Sequence, residues 1–293
     1  MDPQPNIALK TLKIATVNLC AATAAPKLQA LFDFIQTAKA DIVFLQEVAI
    51  PVFNLRNFQE VVNIGEGRRG TAILVRDGLP MTSPLLLPSG RATSVRVGNL
   101  CCVNLYAPSG SQRRAERAAF YSRDVTPMFA AAGQQLLVGG DLNCILRNED
   151  STGTTPKCPE LGELVTGLQL QDVWPAARSD NGHTFFVGGM SARLDRFYVS
   201  PATARDLLHA ETTAVSFSDH LAVTCTLRSD LEDPPRSPSK EPRTTWTLDA
   251  ASCRTRTSPP CSRRGGGSGG REERSSLTPL HGGSTSSSRR FEA

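Results

Sequence analysis

Three polar residues, Ser218-Asp219-His220, stand between the apolar runs Val215-Ser216-Phe217 and Leu221-Ala222-Val223. An unpaired carboxylate is costly to desolvate, so such an insert needs a turn, a partner or a chemical task. The pattern recurs along the chain. KIATV runs to Asn18, IVFL to Gln46-Glu47, CVNLY to Tyr106, QLLV to Gly139-Gly140-Asp141-Leu142-Asn143, and ARL to Asp195. Each piece alone has an ordinary reading. Ser218 and Asp219 can cap a turn, Glu47 can be a solvated acid, and Asp141 with Asn143 can form an Asx turn. Tyr106 can be a half-buried core residue, Asn18 a strand-end cap, and Asp195 a surface partner of Arg193 or Arg196.

Together they form the inventory that hydrolysis of a phosphodiester requires, provided the strand ends share one edge. Oxygen ligands from Glu47, Asp141 or Asp219 suit Mg²⁺, a hard ion that binds through one or two carboxylates and keeps several waters. Asn18, Asn143 and Tyr106 can orient a phosphate or a water without adding charge. His220 paired with Asp195 would be held in one tautomer and would serve as general base or as a charge-stabilising cation.

The elements that must position these residues alternate between strand and helix. Leu12–Leu19 has strand periodicity, and Lys27–Lys39 places Leu28, Leu31, Phe32 and Ile35 on one helical face. Asp41–Leu45 and Thr71–Val75 are compact β-rich runs. Val95–Val97 and Cys101–Leu105 pair across Gly98-Asn99 as a hairpin. Helix is expected over Arg113–Ala131 and Pro159–Leu168, and strand over Gln135–Val138, His183–Val187, Leu194–Val199 and both flanks of Asp219. This mixture over residues 1–228 predicts one α/β (α+β) domain.

Beyond Arg228 the apolar periodicity stops. DPPRSPSK and GGGSGG mark residues 229–293 as a tail too poor in apolar surface to fold, expected to be disordered. The chain carries 32 basic and 28 acidic residues for a net charge of +4, so DNA binding would depend on local Arg placement rather than bulk charge. The start, MDPQPNIALK, lacks the pattern of a secretory signal, and no apolar run is long enough to span a membrane. Eight scattered cysteines without a Cys-x-x-Cys pair predict free thiols in a reducing compartment.

The ordered series Asn18, Leu-Gln-Glu47, Asn104-x-Tyr106-x-Pro108, Gly-Asp141-x-Asn143, Ser-x-Arg193-x-Asp195 and Ser-Asp219-His220 resembles the endonuclease/exonuclease/phosphatase superfamily. Gly-Gly-Asp-x-Asn-Cys, Asp-Val-Trp174 and Ala-Arg-Leu-Asp-Arg-Phe-Tyr-Val-Ser are similar to the apurinic-endonuclease-like domain of vertebrate LINE-type retrotransposons. The resemblance implies a four-layer sandwich of two β-sheets flanked by helices. It also implies Mg²⁺-dependent nicking of one DNA strand, with Mn²⁺ as an alternative ion, leaving a 3′-hydroxyl. By motif, Glu47 is a metal ligand, with Asn18, Asp141, Asn143, Asp219 and His220 completing the candidate metal set. Tyr106 contacts phosphate, Asp141 and Asn143 handle the attacking water, and His220 pairs with Asp195; either His220 or Asp141 can be the base. Arg193 and the Gly188-Gly189 turn are candidate DNA contacts, because similar enzymes present a hairpin to the minor groove there. Arg113, Arg114 and Arg117 are read as a solvated helix face.

The lack of a signal pattern and of an apolar span predicts a soluble protein, nuclear residence follows from the expected DNA substrate, and a monomer is expected. Relatives usually carry Asn or Asp at the position of Cys20, Phe at that of Leu142, and often Asn at that of Ser109. The alternatives are a repair-type apurinic-site endonuclease or exonuclease, and a catalytically reduced retrotransposon relic. A phosphatase of inositol lipids would need longer loops between Asn143 and Asp195. An intact element would continue into a reverse transcriptase, which is absent here, and residues 246–293 read as an out-of-frame form of the expected linker.

Overall fold

The computed structural model describes residues 10–65, 70–130, 132–174 and 180–231, all within the compact unit Met1–Pro238. The expectations of a disordered, out-of-frame tail concern residues almost wholly outside this range. Secondary structure begins with β1 (Thr11–Asn18), α1 (Ala25–Ala38), β2 (Ile42–Val48), β3 (Phe58–Ile64), β4 (Gly70–Arg76) and β5 (Met81–Leu86). It continues through β6 (Ala92–Val97), β7 (Leu100–Tyr106), α2 (Arg114–Ala119), β8 (Leu136–Asp141) and α3 (Pro159–Gly167). The described chain closes with β9 (Gln171–Asp172), β10 (Phe185–Val187), β11 (Met190–Ala192), β12 (Asp195–Val199), α4 (Pro201–Ala204), β13 (Leu207–Thr213) and β14 (Ala222–Arg228).

Two mixed six-stranded sheets form, in the orders β13-β14-β1-β2-β4-β3 and β5-β6-β7-β8-β12-β9, with β10-β11 a separate hairpin. Period-two alternation explains how they stack. Ile42 and Phe44 face the second sheet, where Phe44 meets Phe197 edge-on at 5.5 Å between ring centroids. Val43 and Leu45 point the other way, onto Leu28, Leu31, Phe32 and Ile35 of α1. On the far side, Val103, Leu105 and Val138 pack against Phe120, Tyr121 and Leu161. The order of layers is therefore helix, sheet, sheet, helix, the four-layer α/β sandwich expected. No helix among the described residues is long and apolar enough to cross a membrane.

Three expectations are corrected. The helix predicted over Arg113–Ala131 is broken into 3₁₀, α, π and 3₁₀ segments ending at Phe129; Pro127 lacks an N–H and cannot continue an α-helix. Val215–Phe217 is not strand: β13 ends at Thr213, and the intervening residues form a turn that drops Phe217 into the core beneath α1. Arg117 does not lie on a solvated face; it is fully buried.

A polar tie crosses the apolar layer between the sheets. The Asn104 amide donates to the carbonyls of Leu45 and Ala72, each at 2.9 Å, and its Oδ1 accepts from Gln46 Nε2 at 2.6 Å. Asn104→Ala removes two bonds to buried carbonyls and the acceptor of Gln46 Nε2, and should cost about 3 kcal/mol. Urea unfolding checks this: the midpoint should fall with no change in slope.

Candidate active site

Strand direction decides which residues meet. β7 and β8 run parallel, with Tyr106 beside Asp141. β12 runs antiparallel to β8, with its first residue, Asp195, beside Asp141. One edge of the second sheet thus carries Tyr106, Asp141 and Asp195 in a row. In the first sheet, β1 ends at Asn18, β2 carries Glu47 near its end, and the antiparallel β14 begins just after His220. The two edges face each other across the sandwich.

Local conformations aim the side chains. Gly139 and Gly140 precede Asp141 because nothing larger fits: a Cβ on Gly139 would lie 2.3 Å from Phe197, and one on Gly140, at φ +129°, would lie 2.0 Å from the Leu105 carbonyl oxygen. Glu47 sits in a register shift of β2 with φ +51°. A side chain at positive φ is strained, and the bulge re-aims its carboxylate. That carboxylate accepts the Tyr106 hydroxyl at 3.1 Å. The Arg91 guanidinium lies over the Tyr106 ring, 5.0 Å from its centroid.

Asp141 is the hub. Its Oδ2 accepts from Asn18 Nδ2 at 2.9 Å and Asn143 Nδ2 at 3.0 Å, and its Oδ1 from the Asn143 backbone at 3.1 Å. The last of these is the Asx turn anticipated from sequence, here serving the site as well. Asp195 Oδ2 accepts from Thr184 Oγ1 at 2.6 Å and pairs with His220 Nδ1 at 2.7 Å. Among the described residues nothing hydrogen-bonds Asp195 Oδ1, although it is buried. The Ser218 hydroxyl accepts the His220 backbone N–H at 3.0 Å, so the insert is a capped turn as well as part of the site.

Burial, reinforced by the charge of Asp195, pushes the Asp141 carboxyl up to about 7. Burial opposes charge on His220 too, but the Asp195 carboxylate in contact with it, with Asp141 and Asp219 nearby, raises it to about 10. At neutral pH the imidazole is therefore a cation held by Asp195, and Asp141 is poised to take a proton. Nδ1 is committed to Asp195, which leaves Nε2 as the other ring nitrogen.

The donor atoms of Asp141, Asp195 and His220 all lie within 4.8 Å of one another. Two buried carboxylates with one unbonded oxygen fit a hard divalent cation, whose charge would offset their repulsion. His220 Nδ1 is paired with Asp195, and the carboxylates are the hard oxygen donors of the group. Glu47 and Asp219 do not belong to this compact group. Asp219 is exposed, its Oδ1 accepts the Cys20 thiol at 2.6 Å, and that thiol also lies 3.3 Å from Ser218 Oγ. Cys20 therefore occupies the edge of the site beside Asp219.

Arg193 is placed differently from the rest. Its guanidinium, 10 % exposed, pairs with Asp172 and lies 3.7 Å from Asp150, while Arg196 bonds Asp150 at 3.0 Å. These are buried ion pairs, and Asp195 partners His220 instead of either arginine. Gly188 and Gly189 have φ +55° and +79°, the tight hairpin turn that glycine favours. The hairpin they close exposes Phe186, Val187 and Met190. Sequence reasoning misses Thr184: it is fully buried and binds Asp195 through both hydroxyl roles, and nothing in its spacing distinguishes it from a core threonine.

Several solved structures share the fold. The chain superposes on an AP endonuclease from Archaeoglobus fulgidus with a TM-score of 0.64 at 17% identity, covering 74% of this chain and 100% of that one. The 3′-5′ exonuclease NExo from Neisseria meningitidis gives 0.64 at 19% identity, covering 74% and 100%. The 3′ phosphatase NExo from Neisseria, bound to a product DNA hairpin, gives 0.62 at 19% identity, covering 73% and 98%. No curated protein matches the sequence. At the level of family the match is direct and spans residues 15–220, which include every strand-edge residue described above: the chain belongs to the Endonuclease/Exonuclease/phosphatase family.

Proposed function

We propose that this site hydrolyses a phosphodiester in one strand of DNA with the help of Mg²⁺, leaving a 3′-hydroxyl. The observation that carries the reading is the His220–Asp195 pair facing Asp141 at the edge of the sandwich, beside a hairpin that exposes apolar side chains. Asp141, held by three N–H donors, takes the proton of the water that attacks phosphorus; the P–O3′ bond breaks and the departing 3′-oxygen takes a proton from solvent to become the hydroxyl. The His220 imidazolium stabilises charge developing on the phosphate oxygens. Tyr106 and Asn143 orient the phosphate and the water. We assign the ion to the unbonded oxygen of Asp195, with Glu47, Asn18 and Asp219 as the further oxygen donors at that edge; it would supply positive charge against the substrate phosphate. Exposed Phe186, Val187 and Met190 suit insertion beside unstacked bases.

The motif resemblance extends the proposal to a nuclease domain of a LINE-type retrotransposon, residues 1–228, acting as a monomer in the nucleus. A repair reading has one observation in its favour. A cavity of about 230 Å³ lies beside Asn143, lined by Phe185, Val187, Met190 and Leu194, with room for an extrahelical sugar. Cleavage of supercoiled plasmid compared with an abasic duplex separates the two: strong preference for the abasic duplex would favour repair.

Cys20 offers a graded check. Cys20→Asp would place a second carboxylate against Asp219, and the Mg²⁺ concentration giving half-maximal nicking should fall several-fold. A Mg²⁺ titration of nicking reads this directly, and an unchanged midpoint would place the ion elsewhere.

A further inference from the structure

Arg117 has no solvent exposure and is the largest side chain in the core of which this is true. Its Nη1 donates to the carbonyls of Pro108 and Gly110 at 2.9 and 3.1 Å. Among the described residues, Nε and Nη2 have no hydrogen-bond partner. The acid one position away, Glu116, faces Arg91 and Arg113 instead. Among the described residues no ion pair forms with Arg117, although its charge, behind hydrogen bonds to the Glu160 carboxylate and the charge of Arg114, helps to lower the Glu160 carboxyl. Burying a guanidinium without an ion pair costs more than two neutral acceptors return, and an apolar side chain of similar volume would serve the core better. A guanidinium buried at such a cost that spends its bonds on one loop points to that loop.

The loop is the one that leaves β7 at Tyr106. The Ala107 carbonyl accepts Asn143 Nδ2 at 2.9 Å, and the Ala107 N–H donates to the Asp141 carbonyl at 3.0 Å. Gly110, at φ +86°, turns the chain toward α2. With both ends free to shift, Ala107 could not fix the Asn143 amide, and Tyr106 could not keep its hydroxyl on Glu47. We propose that Arg117 is a positioning residue: by clamping the Pro108 and Gly110 carbonyls it holds Ala107, and through it Asn143 and Tyr106, in the geometry that meets the phosphate. The inference rests on the nuclease reading above only for its kinetic consequence.

The test uses the full chain carrying Arg117→Met or Arg117→Lys, with thermal melting, steady-state nicking and amide hydrogen exchange measured on each. Arg117→Met is expected to melt within a few degrees of the wild type, because it exchanges a costly charge for a packed side chain. Its kcat should fall about tenfold to a hundredfold with KM little changed, the expected effect of misplaced reacting groups. Exchange should accelerate at the Ala107 amide and not in β1 or β2. Arg117→Lys, which can still donate to both carbonyls, should recover most of the rate. A wild-type kcat in Arg117→Met would overturn the proposal. So would failure of Arg117→Met to fold, or equal losses of melting temperature and rate in both variants, since either outcome assigns Arg117 to the core alone. If the wild type does not nick DNA, the nuclease reading fails on its own account. Exchange at Ala107 then decides the clamp: acceleration confined to this loop supports it and an unchanged amide overturns it.

Discussion

Asp141→Asn is expected to slow DNA nicking by about a thousandfold. The carboxylate receives hydrogen bonds from three N–H donors and makes none in return. An Asn at this position must turn its NH₂ toward one of them, so the variant loses both the proton acceptor and the ordered geometry around it. Stability should change little, because removing a buried charge offsets the misplaced donor. Single-turnover nicking beside urea unfolding separates the two effects. A loss of rate that simply tracks a loss of fold would remove Asp141 from the chemistry.

Asp195→Asn should reshape the pH profile as well as reduce the rate by about a hundredfold. In the proposed mechanism, Asp141 must be deprotonated and His220 protonated. Activity should therefore rise with pH through about 7 and fall again near 10. Removing the Asp195 charge relieves the repulsion that raises Asp141 and the attraction that raises His220. Both limbs should then move to lower pH. An intact bell in Asp195→Asn would show that neither limb belongs to this pair.

The same two shifts act on stability in one direction, because both groups are raised in the folded state. His220, raised from 6.5, contributes stability that is fully present below about 6.5 and is lost as pH rises through about 10. Asp141, raised from 3.8, is most favourable below 3.8 and costs stability as pH rises through about 7. These two groups should therefore weaken folding steadily from mildly acidic to alkaline pH, and urea midpoints across that range would follow it.

Most of the site is legible because strand ends are marked by a change from apolar to polar residues, and Asn18, Glu47, Tyr106 and Asp141 all stand at such changes. What the spacing does not give is direction. The strand expected over Leu194–Val199 is β12, but nothing in its sequence shows that it runs antiparallel to β8, which is why Asp195 at its start meets Asp141 at the end of β8. Strands β3 and β5 escape sequence reading because their burial is partial and their patterns weak. The ordinary behaviour of arginine puts Arg117 on a solvated face, and no local signal marks an arginine that turns inward to hold a loop. Glu47 resembles a solvated acid because a strand sequence does not show where a bulge will turn one residue toward the neighbouring sheet.

The decisive experiment incubates supercoiled plasmid with the full chain, in Mg²⁺ and in EDTA, and then offers the nicked ends to a DNA polymerase. Nicks are expected only with Mg²⁺, with ends that a polymerase extends without repair, and with near-complete loss in Asp141→Asn and His220→Ala. Absence of nicking by the wild type, or nicking that persists equally in both variants, would contradict the assignment of Asp141 and His220 to Mg²⁺-dependent strand cleavage.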